Sequence, residues 1–254
     1  MNDNMTDYSY SRLQVFQQCP FKYRLMYIDK IARFTKGIEG FMGDMVHRTL
    51  RDLHARVDEG GTMTVDEMLD IYRSHWNGGW SDDVVIVKKN RTAADYLQSG
   101  AEMLIAYYDK YEPFDQMSIV GLETDERLQL PDGNRYYIKI DKLTRVDDTY
   151  YVCDYKTGAK GVTQTDAEAD SQLGMYSLWV LRTFPQAGKV LMRWYSLADG
   201  REVTCEKGVQ ALQALEAKVV RTISAIESCK NFSTRRTGLC SYCQYQDLCP
   251  EFKR

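Results

Sequence analysis

The chain has 254 residues, of which 44% are hydrophobic and 27% charged, and a net charge of −3 at pH 7. These totals are typical of a globular protein with one large domain or two small ones. The sequence contains no run of 18 apolar residues, so a membrane-spanning helix is not expected. The net charge excludes the strong positive excess of proteins that coat nucleic acid, although it does not exclude a local basic channel. The first residues lack a signal-peptide pattern, so a cytoplasmic protein without a membrane partner is expected.

Most of the first half of the chain has the apolar spacing of helices. Predicted helices cover residues 10–19, 21–31, 40–57, 64–76 and 91–112. Pro20 separates the first two, Thr64 is a predicted N-cap, and Pro113 follows the last helix. Residues 1–115 are therefore predicted to form a mainly helical part.

The pattern then becomes that of strands, rich in β-branched and aromatic residues. Turn signals separate three strand-like runs and predict an antiparallel meander, at residues 116–130, 135–146 and 149–158. A crossover helix at 166–184, two more strands and an amphipathic helix at 207–228 follow.

The chain shows no internal repeat and no flexible linker, so a single α/β domain over residues 1–254 is predicted. Within it, the sheet and its crossover helix occupy residues 116–205. A helix and a cysteine-containing tail occupy residues 206–254.

The stretch YVCDYKTG places Asp154 and Lys156 on one face of a predicted strand. Asp141 is on the preceding strand, so pairing of the two strands can bring both carboxylates to one edge of the sheet. Close carboxylates favour a divalent cation, and such an ion beside a phosphate is typical of phosphodiester cleavage. Lys156 would then orient or activate water, or stabilise charge on the phosphate. A surface ion pair is the simpler alternative.

Two predicted helices carry further polar groups. Gly43, in GDMVHRTL, would permit the close approach of another segment, and His47 follows one turn later on the inward side. Gln172 and Tyr176 are four residues apart and share a helix face. In isolation, an ordinary core histidine and a half-buried tyrosine are the simpler interpretations.

Taken in order, the G-x-x-x-H helix, the strand aspartate, the DYKTG strand and the Q-x-x-x-Y helix resemble the RecB-type branch of the PD-(D/E)XK nucleases. The resemblance implies a restriction-endonuclease-like core, with a mixed central sheet flanked by helices. It also implies that His47, Asp141 and Asp154, with the backbone carbonyl of Tyr155, bind Mg²⁺ or Mn²⁺.

The resemblance assigns roles to the remaining motif positions. Lys156 would be the catalytic lysine, and Gln172 and Tyr176 would contact DNA or steady the active site. Either Glu123 or Glu126, on the preceding strand, is a candidate to support the site, and the pattern does not choose between them.

The segment around Asp141 departs from the family pattern. Many relatives have a glycine two residues before this aspartate and an arginine after it, whereas this chain has Lys139 and Lys142. The change keeps positive charge but loses the glycine. The change therefore affects how closely another segment can approach the backbone at position 139 more than it affects the metal ligands.

The tail contains Cys240-x₂-Cys243-x₅-Cys249, and clustered cysteines in a reducing compartment often bind metal. Cys19 is the candidate for a fourth ligand. The spacing alone is compatible with zinc or with iron–sulfur. The QCPFKY context of Cys19 and the tail spacing are similar to the iron–sulfur nucleases of the AddB and CRISPR-associated RecB-like types, and to several phage exonucleases. That resemblance implies a [4Fe–4S] cluster that pins the C-terminal tail to the N-terminal helix.

These features lead to the hypothesis of a Mg²⁺- or Mn²⁺-dependent DNA exonuclease that prefers single-stranded ends. Relatives often cleave 5′ to 3′, whereas the sequence itself indicates neither a direction nor a protein partner. Recombination and repair, phage DNA metabolism and CRISPR adaptation are the compatible pathways. A non-catalytic DNA-binding or adaptor protein on the same fold is one alternative, but the intact ligand set argues against it. An RNA-processing nuclease is another, but the sequence shows no RNA-binding module.

Overall fold

The computed structural model describes residues 7–33 and 36–252. Its helices are α1 (Tyr10–Gln18), α2 (Pro20–Tyr23), α3 (Ile38–Asp58), α4 (Val65–Gly79), α5 (Ala93–Tyr111), α6 (Gln164–Ala169), α7 (Gln172–Thr183) and α8 (Val209–Glu227). Its strands are β1 (Asp7–Tyr8), β2 (Lys36–Gly37), β3 (Val84–Val85), β4 (Ser118–Leu122), β5 (Glu126–Gln129), β6 (Arg135–Ile138), β7 (Lys142–Val146), β8 (Thr149–Lys156), β9 (Lys189–Ser196) and β10 (Arg201–Cys205).

The described residues divide into two compact units. Unit 1 takes residues 7–33, 126–138 and 213–252, and unit 2 takes residues 36–125 and 139–212. None of the helices in the described ranges is long and apolar enough to cross a membrane.

Two of the long helices of unit 2, α4 and α5, begin at side chains that cap them. Thr64 accepts a hydrogen bond from the backbone of Glu67, and the Glu67 carboxylate accepts one from the backbone of Thr64. Thr92 and Asp95 form the same reciprocal pair at the start of α5. Behind these caps, the apolar faces of α3, α4 and α5 pack into the core of unit 2.

Unit 2 contains a five-stranded sheet in the order β10-β9-β8-β7-β4. β8 pairs antiparallel with β7 and parallel with β9, and the parallel pair requires the crossover that α6 and α7 supply. Alternation along β8 directs Cys153 and Tyr155 into the core formed with α3 to α5. Asp154 and Lys156 lie on the opposite face. This mixed sheet with flanking helices confirms the predicted α/β fold class.

Unit 1 contains a three-stranded sheet in the order β1-β6-β5. β1 is parallel to β6, whereas β5 and β6 form an antiparallel hairpin. A π-helical turn at Arg24–Ile28 follows α2, and two 3₁₀ turns, Gly238–Tyr242 and Gln246–Leu248, carry the cysteine tail.

Two predicted strands are each divided in the structure. The run at 116–130 becomes β4 and β5, and the run at 135–146 becomes β6 and β7, with the two halves in different units. Glu123, at the first break, has a left-handed φ of 45°, which interrupts a strand without the glycine that usually signals it. Asp141 lies at the second break, between β6 and β7, and therefore comes just before a strand instead of inside one.

The predicted helix at 166–184 is also divided, into α6 and α7. The break falls at Asp170, whose Oδ1 accepts a hydrogen bond from the Leu173 backbone at 2.8 Å. This contact satisfies an otherwise unpaired N–H at the start of α7, so a new helix begins there.

Candidate active site

Three segments of unit 2 bring polar groups together at the end of β8. α3 supplies His47, the residue before β7 is Asp141, and β8 supplies Asp154 and Lys156. His47 Nδ1 lies 3.4 Å from Asp141 Oδ2, and Lys156 Nζ lies 2.7 Å from Asp154 Oδ2. The structure thus places four of the residues that the sequence singled out in one cluster.

The backbone of Tyr155 connects the members of this cluster. Its N–H donates to Asp141 Oδ2 at 2.9 Å, and its carbonyl oxygen lies 2.9 Å from His47 Nε2. A carbonyl can only accept a hydrogen bond, so Nε2 carries the hydrogen in this arrangement. Metal binding by that nitrogen would displace the hydrogen, because an imidazole binds metal in its deprotonated form.

Close packing between α3 and the end of β8 depends on Gly43. A Cβ atom at this position would lie 2.9 Å from Thr157 Oγ1. Thr157 directly follows Lys156, so a side chain at position 43 would force the Thr157 hydroxyl to move and would crowd the contact between α3 and the end of β8. The expectation that Gly43 permits a close approach is confirmed.

Glu123 lies in the same cluster. Ligand atoms of His47, Glu123 and Asp141 are all within 4.8 Å of one another. Lys139 Nζ pairs with Glu123 Oε2 at 2.8 Å. Glu126 instead lies on β5 in unit 1, opposite Ile138, so the structure distinguishes the two glutamates that the sequence left open.

The two aspartates differ in their electrostatics. Burial raises the pKa of Asp154 to about 6, and the charge of Asp141 adds to the rise. Burial also opposes ionisation of Asp141, but its hydrogen bond to His47 and the charge of His47 hold the pKa of Asp141 below its usual value. Burial disfavours the charged His47 ring, yet Asp141 raises the pKa of His47 to about 9. Asp141 is therefore anionic and His47 cationic at neutral pH.

This donor set fits a divalent metal ion. Asp154 Oδ2 is buried and, within the part of the chain that the structure describes, makes no hydrogen bond of good geometry beside its ion pair with Lys156. Buried polar atoms normally have such a partner, and a bound cation would supply one. Carboxylate oxygens and an imidazole nitrogen are ligands that Mg²⁺ or Mn²⁺ accept.

Lys156 is held in its charged form. Burial disfavours the ammonium, but the negative charge of Asp154, 2.7 Å away, raises the pKa of Lys156 above its usual value. The lysine therefore presents a hydrogen-bond donor and a positive charge beside the carboxylates.

α7 presents the two predicted polar residues Gln172 and Tyr176. Gln172 Nε2 donates to the Tyr176 hydroxyl at 3.1 Å, and that hydroxyl also bonds to the backbone of Lys139. Tyr176 is only 5% exposed. Its position suits the steadying of the segment before Asp141 better than direct contact with a nucleic acid.

Asp170 also lies beside the site, although it was not predicted from the sequence. This carboxyl caps α7 through Leu173, and the charge of Lys156 acts on it. Burial raises the pKa of Asp170 above its usual value, and the Leu173 contact and Lys156 oppose that rise. The Asp-Ser pair just before the Q-x-x-x-Y motif is an N-cap signal that indicates this role.

In unit 1, the four predicted cysteines line one cavity of about 50 Å³. They are Cys19, Cys240, Cys243 and Cys249. Cys19 precedes α2, and the other three lie on or beside the two 3₁₀ turns. The structure thus brings a cysteine from one end of the chain to the three at the other end.

The remaining cysteines lie elsewhere. Cys153 and Cys205 are buried in unit 2, and Cys229 Sγ contacts the Asn231 carbonyl at 3.5 Å. Cys153 has the orientation that strand alternation predicts, on the face opposite to Asp154.

Polar contacts join the two chain ends around the cysteine cavity. The Phe21 N–H donates to the Ser233 carbonyl at 3.1 Å, and the Tyr245 hydroxyl donates to the Ile31 carbonyl at 2.9 Å. The Thr237 N–H donates to Cys240 Sγ at 3.3 Å. The donor chemistry of the cavity fits a thiolate-bound metal group.

Comparisons with known proteins agree with this architecture. A solved structure named "Putative exonuclease", from Eubacterium rectale, has a TM-score of 0.52 and 12% identity, and the match covers 94% of this chain and 87% of that one. A structure of SSO0001 has a TM-score of 0.39 and 17% identity over 93% of this chain and 95% of that one, too low a score to carry an argument. No curated protein matches significantly.

The family comparison covers almost the whole chain. Residues 7–250 match the model of the PD-(D/E)XK nuclease superfamily. Nucleases of this group use divalent metal ions, which agrees with the donor set of unit 2. This chain therefore belongs to the PD-(D/E)XK nuclease superfamily.

Proposed function

We propose that this protein is a Mg²⁺- or Mn²⁺-dependent deoxyribonuclease of the RecB type, an exonuclease that acts on single-stranded DNA ends in the cytoplasm. The observation that carries the proposal is the convergence of His47, Asp141, Asp154 and Lys156 at the end of β8. A protein that only binds DNA has no need for buried carboxylates beside a histidine and a lysine. The name of the similar Eubacterium rectale structure agrees with an exonuclease.

In this proposal the metal ligands are His47, Asp141, Asp154 and the Tyr155 carbonyl, with Glu123 as a further carboxylate. A bound ion supplies charge stabilisation at the phosphate and lowers the pKa of a bound water. The network around Tyr155 fixes the ligands before any ion arrives, which limits the cost of reorganisation.

In this scheme Lys156 supplies a hydrogen-bond donor and a positive charge. Its raised pKa keeps it protonated at neutral pH, so it does not take the proton of the attacking water. Its ammonium instead orients the water or stabilises the developing charge on the phosphate. Tyr176 and Asp170 position α7 and the segment before Asp141.

A recess of about 670 Å³ supports a single-stranded substrate. Thr157 and Gly158, directly after Lys156, border it, and Lys88 and Arg91 also line it. A recess of this size takes a nucleotide-sized group more readily than a duplex. The two cations offer contacts for backbone phosphates, which would compete with Glu39 for Lys88, since Lys88 Nζ lies 3.5 Å from Glu39 Oε1. The acidic residues Glu102 and Asp199 also line the recess.

We further propose that Cys19, Cys240, Cys243 and Cys249 bind a [4Fe–4S] cluster. Four thiolates at ~2.3 Å from one zinc ion would hold their sulfur atoms about 3.8 Å apart. The set of ligand atoms found within 4.8 Å of one another in the described residues is that of His47, Glu123 and Asp141, and it contains no cysteine. The shared cavity, together with the QCPFKY context of Cys19 and the C-x₂-C-x₅-C spacing of the tail, supports a cluster over a single ion.

The cluster would join the chain ends of a single nuclease domain over residues 1–254. Recombination and repair, phage DNA metabolism and CRISPR adaptation are the proposed settings. A stand-alone nuclease suits each of them.

Single-stranded DNA labelled separately at each end, incubated with Mg²⁺ or Mn²⁺, tests the activity. The wild type should release product progressively from an end, and Lys156→Ala should slow cleavage by about 100-fold or more. Lys189→Ala is the matched control, because Lys189 is exposed and lies at the far end of the β8–β9 pair.

Equal cleavage by the wild type and Lys156→Ala would remove the catalytic assignment. Absence of cleavage by the wild type with either metal would contradict the proposed activity. A circular single strand should resist, since an exonuclease requires an end, and the label released first gives the polarity.

A further inference from the structure

A second group of charged residues in unit 2 lies on the sheet face opposite to Asp154 and Lys156. Strand register places Lys142, Cys153 and Arg193 side by side across β7, β8 and β9. Neighbouring strands are ~4.8 Å apart, so the Cα atoms of the two cations are about 10 Å apart and their long side chains can reach one space. The proposed catalytic scheme uses none of these side chains.

A cavity of about 140 Å³ opens on this row of residues. Lys142 and Arg193 both line it, together with His54, Tyr107 and Tyr195. A single water needs only ~10–15 Å³ of such volume, so the space is large enough for a polyatomic group.

Lys142 is a buried cation whose close partners are neutral. The residue is 7% exposed, and its Nζ lies 2.9 Å from the Tyr107 hydroxyl and 3.2 Å from His54 Nε2. The Tyr195 ring centre is 5.1 Å away. Within the described residues, Lys142 forms no ion pair with a carboxylate, although buried charges usually have one.

Arg193 has donors that its surroundings leave open. Its Nε is buried and has no hydrogen-bond partner in the described part of the chain. Nη1 reaches the Met117 sulfur at 3.8 Å, a weak acceptor, and the guanidinium stacks on the Tyr151 ring at 4.3 Å. The guanidinium also hydrogen-bonds to the Tyr195 side chain, so its partners are a neutral hydroxyl and a weak sulfur acceptor, with no carboxylate among them. A planar guanidinium with such partners is suited to bind an oxyanion through two oxygens.

The nearest acidic group does not neutralise these cations. Glu202 acts on Lys142 and Arg193 only as a minor electrostatic contribution. Its carboxylate is already paired with Lys110 at 2.9 Å and accepts a hydrogen bond from Tyr111. Two cations therefore face one cavity without a counter-charge in contact.

We propose that this cavity binds one phosphate group between the Lys142 ammonium and the Arg193 guanidinium. The oxyanion neutralises both cations and accepts hydrogen bonds from the Lys142 ammonium and the Arg193 guanidinium. The site is separate from the active site, because strand alternation places it on the other face of β8. The group is either free inorganic phosphate or the phosphate of a mononucleotide.

Isothermal titration of the full-length protein tests the proposal, with inorganic phosphate and with thymidine 5′-monophosphate as separate ligands. Divalent metal is omitted so that phosphate is not held by an ion in the active site. The wild type should bind one inorganic phosphate per chain. Lys142→Met and Arg193→Met should each weaken binding by about tenfold or more, whereas Lys189→Met, which removes an exposed charge from the same strand as Arg193, should leave it unchanged.

Absence of saturable phosphate binding by the wild type overturns the proposal, as does equal affinity in the wild type and both cavity variants. Arg193→Lys, which keeps the charge but loses the planar fork, replaces any variant that does not fold and should also weaken binding. Binding of inorganic phosphate alone identifies the free ion as the occupant. If thymidine 5′-monophosphate binds as tightly as inorganic phosphate and the same substitutions weaken it, the phosphate group of a mononucleotide is identified as the occupant.

Discussion

The proposed metal centre of unit 2 and the cysteine cavity of unit 1 are built in different ways. In unit 2, His47, Asp141 and the Tyr155 backbone are already joined by contacts of 2.9 to 3.4 Å. They lie on a 21-residue helix and at the ends of paired strands. In unit 1, the cysteines lie before a 4-residue helix and along short 3₁₀ turns.

This difference indicates different dependences on the bound group. Regular secondary structure holds the first centre in place, so loss of its ion should remove chemistry and leave the fold intact. Short turns offer few cooperative backbone hydrogen bonds, so the second centre should owe part of its order to the group it binds. The predictions below test this contrast through activity and stability measured together.

The largest effect is expected from Asp154→Asn. The substitution removes a proposed ligand and should lower the cleavage rate by about 1,000-fold or more. The melting temperature should stay the same or rise, because burial already disfavours the charged form of Asp154. Rates and thermal melting of the two proteins check both statements.

Asp109→Asn is the matched control for that substitution, because Asp109 is an exposed residue of α5. It should change neither quantity. A loss of both activity and stability in Asp154→Asn would break the contrast, since it would make the carboxylate a structural group.

The second-largest effect is expected in the pH dependence of metal binding. Asp154, with a pKa of about 6, and His47, with a pKa of about 9, must both be deprotonated to bind the ion. Metal binding is therefore weakest below pH 6 and strengthens as pH rises toward 9. Between pH 7 and 9, release of the His47 proton should lower the Mg²⁺ concentration for half-maximal activity by about tenfold per pH unit.

His47→Gln should flatten this dependence above pH 7, because it removes the proton that competes with the ion. Half-maximal Mg²⁺ concentrations at pH 6, 7, 8 and 9 give the measurement. Tighter metal binding as pH falls would contradict the assignment of His47.

Cys243→Ser tests the other half of the contrast, because it removes a proposed cluster ligand in unit 1. The variant should lose the visible absorbance and the iron of protein purified without oxygen. Its melting temperature should fall by about 10 °C, as a loss of a few kcal/mol does in a protein of this size. Cleavage should fall by about tenfold, through loss of order instead of loss of a reacting group.

Cys229→Ser is the matched control, because this cysteine lies in the same unit without lining the cavity. It should keep the iron and the stability of the wild type. Stoichiometric zinc in a colourless wild-type protein would contradict the cluster.

The smallest effect is expected at Gly43. A methyl group there would crowd Thr157 Oγ1 at 2.9 Å, displace the segment after Lys156 and slow cleavage by about fivefold. Gly40→Ala, one turn earlier on α3, meets nothing within 4 Å and should keep full activity. Equal rates for the two alanine variants would show that the close approach has no catalytic consequence.

Long periodic segments and the motif residues could be predicted from the sequence. Helices α3, α4 and α5 follow from apolar spacing, and the start of α4 also follows from its Thr64 cap, which acts within a few residues. Asp154 and Lys156 share a face because strand alternation is a local rule. Interactions between residues close in the sequence determine these features, so the pattern of a short segment is enough to predict them.

Features that depend on the whole fold could not be predicted. Residues 116–130 were predicted as one strand, yet the chain changes sheet there because Glu123 adopts a left-handed φ. The same turn places Glu123, and not Glu126, beside His47 and Asp141. The cavity between Lys142 and Arg193 arises from register across three strands, which no single segment encodes.

Calorimetric titration of Mn²⁺ into the wild type, Asp141→Asn and Asp109→Asn at pH 8 tests the central claim most directly. Asp141 is anionic and contacts both His47 and the Tyr155 backbone, so its substitution should weaken Mn²⁺ binding by about 10- to 100-fold. The wild type and Asp109→Asn should bind alike. Equal Mn²⁺ affinity in all three proteins would show that the cluster at the end of β8 is not the metal centre of this nuclease.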